Sequence, residues 1–348
     1  FHWIETPLRR SRRPFRPGRT IGLGLLAALA GVSLLGWVDR FGQSRLFLGD
    51  SSGPPPRTPW SLRAIRGTTI SPDNCEFNAT TQRMPASEAG FSARVATCTA
   101  RPAGGPAAAA SRRPRIFLFG DSHAMAFSPV LAHALKTEGH PVTLLSRTGC
   151  PFPDPPHGQR DRGCSRLQRR LEDHILREAA PGDVVVISNY LLSHLGDSRL
   201  LRDTRDDILG PQQQVVHRGD QKMALFIAGL TRLGSRLSAG GIRVVLVGET
   251  PRHPDRDRCH PHWFNLQIRS ACERTVAEEL AHVRAFNEEL SSALPPTIRF
   301  YDPLPVLCAG GCRQQEVMRM LRDTDHLSID GAERLTESFL ATVEGSRR

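Results

Sequence analysis

The chain has 348 residues, eight of them cysteine, and carries 46 Lys and Arg against 35 Asp and Glu, a formal charge of +11. That length is too great for one minimal domain and sufficient for a full α/β core with additions. A nucleic-acid binder is excluded by the distribution of the charge. Six of the arginines, Arg9, Arg10, Arg12, Arg13, Arg16 and Arg19, sit in one short N-terminal segment, and the remainder are dispersed without interleaved aromatic residues.

In chain order, the first predicted element comes directly after those arginines. The stretch 20–38 contains no charged side chain. At about 1.5 Å of rise per residue a helix over it nearly crosses a hydrocarbon core of roughly 30 Å. By the positive-inside rule the preceding arginines stay cytoplasmic and everything after Val38 faces outward. From 49 to 115 the composition shifts to Pro, Gly, Ser and Ala, as in Pro54-Pro55-Pro56, which reads as linker and irregular extension. Cys75 and Cys98 within it imply that part of the stretch is stapled to the domain C-terminal to it. An alternating pattern comes next, with strands expected at 116–119, 142–145, 184–187, 242–247 and 297–301. Helices are expected near 124–138, 166–179, 221–238, 275–290 and 330–343. Strands that alternate with helices, and whose runs such as Val184-Val185-Val186-Ile187 are apolar without interruption, predict a mostly parallel sheet with helices on both faces.

Two short blocks carry chemistry. Gly120-Asp121-Ser122-His123 succeeds the apolar run 116–119, and Asp323-Thr324-Asp325-His326 lies near the other end of the chain. A strand ending in Gly-Asp-Ser turns at the glycine and leaves the serine hydroxyl at the carboxyl edge of the sheet, where α/β proteins bind ligands. Serine needs an imidazole to take its proton, and the imidazole needs a carboxylate to fix its tautomer and stabilise its charged form. His326 and Asp323 supply that pair, with Asp325 the alternative carboxylate. His123 is expected to point away from Ser122 in a structural or substrate-contact role. The cluster around His253 and Cys259-His260-Pro261-His262 offers metal-ligand residue types, but its spacing matches no zinc template, and no metal is expected.

The two blocks resemble those of the SGNH hydrolase family, whose first block is Gly-Asp-Ser and whose last is Asp-x-x-His. The resemblance implies an SGNH-hydrolase-like, flavodoxin-like α/β fold over 115–348, with Ser122 as nucleophile, His326 as general base and then acid, and Asp323 as its orienting partner. It also implies an oxyanion hole built from the Ser122 N–H, Gly149 after the second strand and Asn189 after the third. The family's Gly-x-Asn-Asp is incomplete at Ser188-Asn189-Tyr190. At the N-terminus, Glu5-Thr6-Pro7-Leu8-Arg9 resembles the Glu-x-Pro-x-Arg ending of the last core helix in the acyltransferase-3 family of membrane proteins. Many of these carry one further helix and a C-terminal SGNH domain.

This order divides the chain into four segments: 1–19, the end of an upstream membrane acyltransferase domain and a basic cytoplasmic loop; 20–38, one transmembrane helix; 39–114, linker and stapled extension; and 115–348, the catalytic domain. The chain then reads as a C-terminal fragment of a fused acyltransferase in a bacterial inner membrane, its catalytic domain extracytoplasmic. All eight cysteines lie beyond the expected span, as an oxidising compartment favours, and sequential pairing closes four local loops: Cys75–Cys98, Cys150–Cys164, Cys259–Cys272 and Cys308–Cys312. The expected activity is O-acylation, first of all O-acetylation, of an envelope glycan. No cofactor is expected in this domain, the upstream membrane domain handling a donor of the acetyl-CoA type. An esterase with the same triad and an inactive glycan-binding domain are the alternatives.

Overall fold

Uninterrupted runs of β-branched and aromatic residues suit strands covered on both faces, and the computed structural model places them so. It describes residues 17–37, 68, 70–77, 84–102, 113–153, 162–195, 208–209, 215–217, 219–259 and 269–345. The strands are β1 (Glu76–Phe77), β2 (Thr99–Ala100), β3 (Ile116–Gly120), β4 (Val142–Arg147), β5 (Val184–Ser188), β6 (Ile208–Leu209), β7 (Val215–His217), β8 (Arg243–Val247) and β9 (Ile298–Tyr301). One sheet runs β1-β4-β3-β5-β8-β9, with β2 beside β4, and β6 and β7 form a separate antiparallel pair. Every pairing in the large sheet is parallel except β2 with β4.

Taken by themselves, the five long strands adopt the order 2-1-3-4-5 of a flavodoxin-like sheet. The chain steps from β3 to β4 in one direction and then from β5 through β8 to β9 in the other. Right-handed crossovers therefore send the connecting helices to opposite faces. In agreement, helix Ser128–Lys136 packs with Ile329–Arg334 and Thr336–Glu344, while Arg162–Glu178 packs with Gly219–Ala239. The sheet interior is dry: every residue of β3 and β5 is buried. Phe117, Phe119, Phe127 and Phe339 are fully enclosed, each contributing roughly 1.5–3 kcal/mol by leaving water.

Two expected helices are each broken in two. The segment near 124–138 divides at Phe127, because Pro129 cannot donate in a continuous helix and instead opens Ser128–Lys136. The closing helix divides at Leu335. The stretch read as irregular extension holds a ten-residue helix, Glu88–Thr97, capped by Ser87 and burying Phe91 and Val95 one turn apart. Strands β1 and β2 pair with β4 on either side of it, Cys75 is bonded to Cys98, and Arg170 donates to the carbonyls of Pro85 and Ala86. Residues 70–77 and 84–102 are thus part of the same packed body as the sheet.

A separate compact unit contains helix Pro17–Trp37, which covers most of the expected span. Its Leu25, Leu26, Leu29, Val32, Leu34 and Leu35 are all 58–70% exposed. Among the described residues no helix is long and apolar enough to cross a membrane. Val38, the Glu5-Pro7-Arg9 motif and all of 39–67 lie outside the described residues.

Candidate active site

Strand β3 delivers the chain to the carboxyl edge of the sheet beside β5, at the point where the strand order reverses. Gly120 pairs with Ser146 on one side and Ser188 on the other. Its φ is 155°, and a Cβ there would lie 1.8 Å from the Ser188 carbonyl oxygen, so the position admits only glycine. Asp121 then caps helix Ser122–Ala126, its Oδ1 accepting from the His123 N–H at 2.8 Å. Ser122 takes the first helical position, where the backbone N–H has no intrahelical acceptor.

The second block is a tight loop closed by a bridge between Leu321 and Leu327. Within it the Asp323 Oδ1 accepts from the backbone N–H of His326 at 2.8 Å and of Asp325 at 3.2 Å, which turns the carboxylate toward the His326 ring. His326 Nδ1 lies 2.9 and 3.0 Å from the two Asp323 oxygens, and Nε2 lies 2.8 Å from Ser122 Oγ. The Arg322 guanidinium donates to Asp323 Oδ2, and the Thr324 carbonyl accepts from the His253 N–H at 2.7 Å, tying the loop to the segment after β8. Burial works against a charged imidazole, but the hydrogen bond that Asp323 accepts and the nearby negative charge of Asp325 outweigh it and push His326 up to about 9. Burial likewise opposes the Asp323 carboxylate, and bonds from His326 hold its pKa below the usual range. Asp325, 3.4 Å from His326 Nδ1, is also held low, the charge of the neighbouring imidazoles of His123 and His326 outweighing burial.

A polar layer lies beneath. The Asp121 Oδ2 accepts from the Tyr190 N–H and sits 2.7 Å from His194 Nε2; it stays ionised despite near-complete burial because His194 and His123 offset the desolvation. Tyr190 stacks on His123, with ring centroids 4.7 Å apart, and its hydroxyl accepts from Arg252, which also pairs with Glu279 at 2.6 Å. Glu249 is buried beside this layer. Its Oε1 accepts from the Leu192 N–H while Oε2 has no partner among the described residues, and desolvation pushes it up to about 7.

The structure therefore brings Ser122, His326 and Asp323 into hydrogen-bond contact, with Asp325 a little farther from the ring than Asp323. Gly149 lies in the exposed turn after β4 with φ of 66°. Asn189 comes after β5 as expected, but its side chain is buried and clamps the backbone of Phe152, accepting from its N–H at 3.1 Å and donating to its carbonyl at 2.8 Å. The His123 ring stacks on Tyr190 and lies 4.7 Å from the ring of His326. Cys259 is bonded to Cys272 and so has no thiolate to offer a metal, while His260 and His262 fall outside the described residues. Among the described residues His123, Asp325 and His326 have ligand atoms close enough to share an ion, although the His326 nitrogens already face Asp323 and Ser122. The four disulfides are the four sequential pairs. Tyr190, His194 and Arg252 carry no sequence signal of their place in the site, and Asp121 is visible only as the middle of Gly-Asp-Ser. Nothing in the spacing links Arg252 to Tyr190.

The family described as SGNH domain (fused to AT3 domains) matches residues 74–341. No curated protein matches the chain. Among solved structures, a protein from Slackia heliotrinireducens named as a candidate SGNH hydrolase is 16% identical, with 66% of this chain and 97% of that one covered and a TM-score of 0.34. The YXIM protein of Bacillus subtilis is 14% identical, with 67% and 57% covered and a TM-score of 0.36.

Proposed function

Because the chain belongs to the family of SGNH domains fused to AT3 domains, we propose that it transfers an acyl group, first of all acetyl, to a hydroxyl of an envelope glycan through an acyl-serine. The observation that carries this reading is the alignment of the Ser122 hydroxyl, both His326 ring nitrogens and the Asp323 carboxylate. His326 Nε2 takes the proton of Ser122 as Oγ adds to the donor carbonyl, and Asp323 stabilises the imidazolium that forms. The tetrahedral oxyanion meets the N–H of Ser122, with Gly149 and the second Asn189 amide hydrogen as further donors. Collapse expels the donor's leaving group, which takes the proton from His326 and leaves the acyl-enzyme. A sugar hydroxyl then gives its proton to His326 and attacks, and Ser122 departs with that proton.

The uncharged stretch 20–38 acts as a membrane anchor in this proposal, supported by the exposed leucines of helix Pro17–Trp37 and the six arginines before the stretch. The catalytic domain is then extracytoplasmic, which suits four disulfides. A membrane acyltransferase domain in cis supplies the acyl group from a donor of the acetyl-CoA type, as the fusion that defines the family supports. The test is glycan acylation in membranes carrying the wild-type chain joined to that domain, against Ser122→Ala. Acylation that persists in the variant removes the acyl-serine step.

A further inference from the structure

Asp325 stands between two imidazoles. Its Oδ1 lies 3.4 Å from His326 Nδ1 and its Oδ2 lies 3.6 Å from His123 Nε2. Thr324 Oγ1 donates to Oδ1 at 2.9 Å and keeps the carboxylate in place. Both imidazole separations exceed ordinary hydrogen-bond length, so Asp325 acts on the two rings through its charge. Asp323 already occupies the orienting position on His326 at 2.9 Å. A triad needs one carboxylate, and this loop presents two.

His123 is fixed where it can answer the second one. Its side chain is 7% exposed, its ring lies parallel to Tyr190 within 9°, and the ring also meets His326 at 4.7 Å. Tyr190 is itself held by Arg252 and, through its backbone, by Asp121. His123 Nε2 is a buried polar atom with no hydrogen bond among the described residues. Burying such an atom costs free energy unless a charge faces it, and Asp325 is the carboxylate in contact with it.

We propose that His123 is a positioning residue that acts through Asp325 on His326, drawing part of that carboxylate's field away from the base and so setting the pH at which His326 becomes able to accept a proton. The inference rests on the triad reading and extends it to the tuning of the base. An opposite charge within a few ångströms shifts a titrating group by about one to three pH units, and an imidazole stabilised by two undivided carboxylates is protonated over most of the neutral range. Among the described residues Glu76 from β1 also bears on His326, and Arg322 pairs with Asp323. His123 is faced by Asp121 and Glu249 as well as Asp325.

The test is the pH profile of kcat/KM for hydrolysis of an activated acetyl ester by the full chain in membranes, from about pH 6 to about pH 10. His123→Phe keeps a ring against Tyr190 and removes the N–H; its acidic limb is expected about one pH unit above wild type. Asp325→Asn is expected about one unit below. The double variant should track Asp325→Asn, because His123 has no charge left to act through. His123→Gln restores an N–H and should bring the limb back toward wild type. A limb that stays put or falls in His123→Phe, or a double variant displaced from Asp325→Asn, overturns the proposal. If His123→Phe does not fold, an unmoved limb in Asp325→Asn overturns it equally. Ser122→Ala separates the two levels: activity there sinks the triad, whereas its absence together with stationary limbs sinks only the tuning.

Discussion

His326 Nε2 lies 2.8 Å from the Ser122 hydroxyl although 204 residues separate them in the chain. Two different devices produce this contact. Ser122 is fixed by the end of β3 and the Asp121 cap, whereas His326 is fixed by a loop whose own backbone N–H groups bind Asp323. Each half is therefore locally specified, and the sheet has only to bring the two edges together.

Ser122→Ala and His326→Ala should each lower turnover by roughly three to six orders of magnitude, with Asp323→Ala costing less. The double variant Ser122→Ala/His326→Ala should be little worse than either single, since the residues work as a unit. Steady-state hydrolysis of an activated acetyl ester measures all four. Near-full turnover in Ser122→Ala contradicts the assignment.

Much of this site was legible because its signals are short-range. Gly120-Asp121-Ser122 and Asp323 to His326 are contiguous, and the long buried strands are contiguous apolar runs, so sequence reading reaches them within a residue or two. The features it missed depend on distant partners. The position of His123 is set by Tyr190 and Arg252, from the ends of β5 and β8, and no local pattern announces that stack. The Asn189 amide engages Phe152 across a loop. Helix Glu88–Thr97 did leave a trace in Phe91 and Val95, which the surrounding Pro, Gly and Ala composition obscured. The two-residue strands β1 and β2 are too short to carry any period; their pairing with β4 is a tertiary event.

The Gly120 backbone leaves no room for a methyl group. Gly120→Ala places a Cβ 1.8 Å from the Ser188 carbonyl, on the strand that β3 must pair with, and 2.8 Å from the side-chain Oδ1 of Asn189. The variant should lose activity together with several kcal/mol of stability, about the size of a severe overpacking change. Chemical denaturation and ester hydrolysis measured together check it. A fully stable, fully active variant means the β3 to β5 register is wrong.

Glu249 should make stability fall with rising pH. Buried, and without a partner for Oε2 among the described residues, it is pushed up to about 7 from an ordinary 4.5. Between those values the folded state holds a proton that the unfolded state has released, so stability declines across that window and the full penalty remains above it. Glu249→Gln keeps an acceptor for the Leu192 N–H and removes the titration. Its melting temperature should exceed wild type at about pH 8 and approach it at about pH 5. An equal difference at both values excludes a buried titrating carboxyl.

His326 contributes to stability over a different window and bears directly on rate. Its folded pKa is raised from 6.5 to about 9, so the stability it contributes is complete below 6.5 and is lost as pH rises through 9. Over that same interval the neutral base appears, and kcat/KM should climb to a plateau above pH 9 while the melting temperature declines. A rate limb near the unperturbed histidine value shows that the two carboxylates do not stabilise the imidazolium in the working enzyme.

Transferase and esterase use the same triad and differ in which hydroxyl reaches the acyl-serine. A domain tethered beside a membrane source of acyl groups gains effective concentration without needing a tight donor site. It should therefore perform poorly when the source is removed. The part from about residue 49 onward, purified alone, is expected to hydrolyse activated acetyl esters slowly and to leave natural acetylated glycans nearly untouched. Joined to a membrane acyltransferase domain, the full chain should acylate an envelope glycan and lose that activity on Ser122→Ala. The readout is glycan-bound acetate per cell alongside ester hydrolysis in vitro. If the separated part instead strips acetyl groups quickly from natural glycans, and cells lacking it accumulate more glycan acetate, water is the physiological acceptor and the esterase reading replaces the transferase.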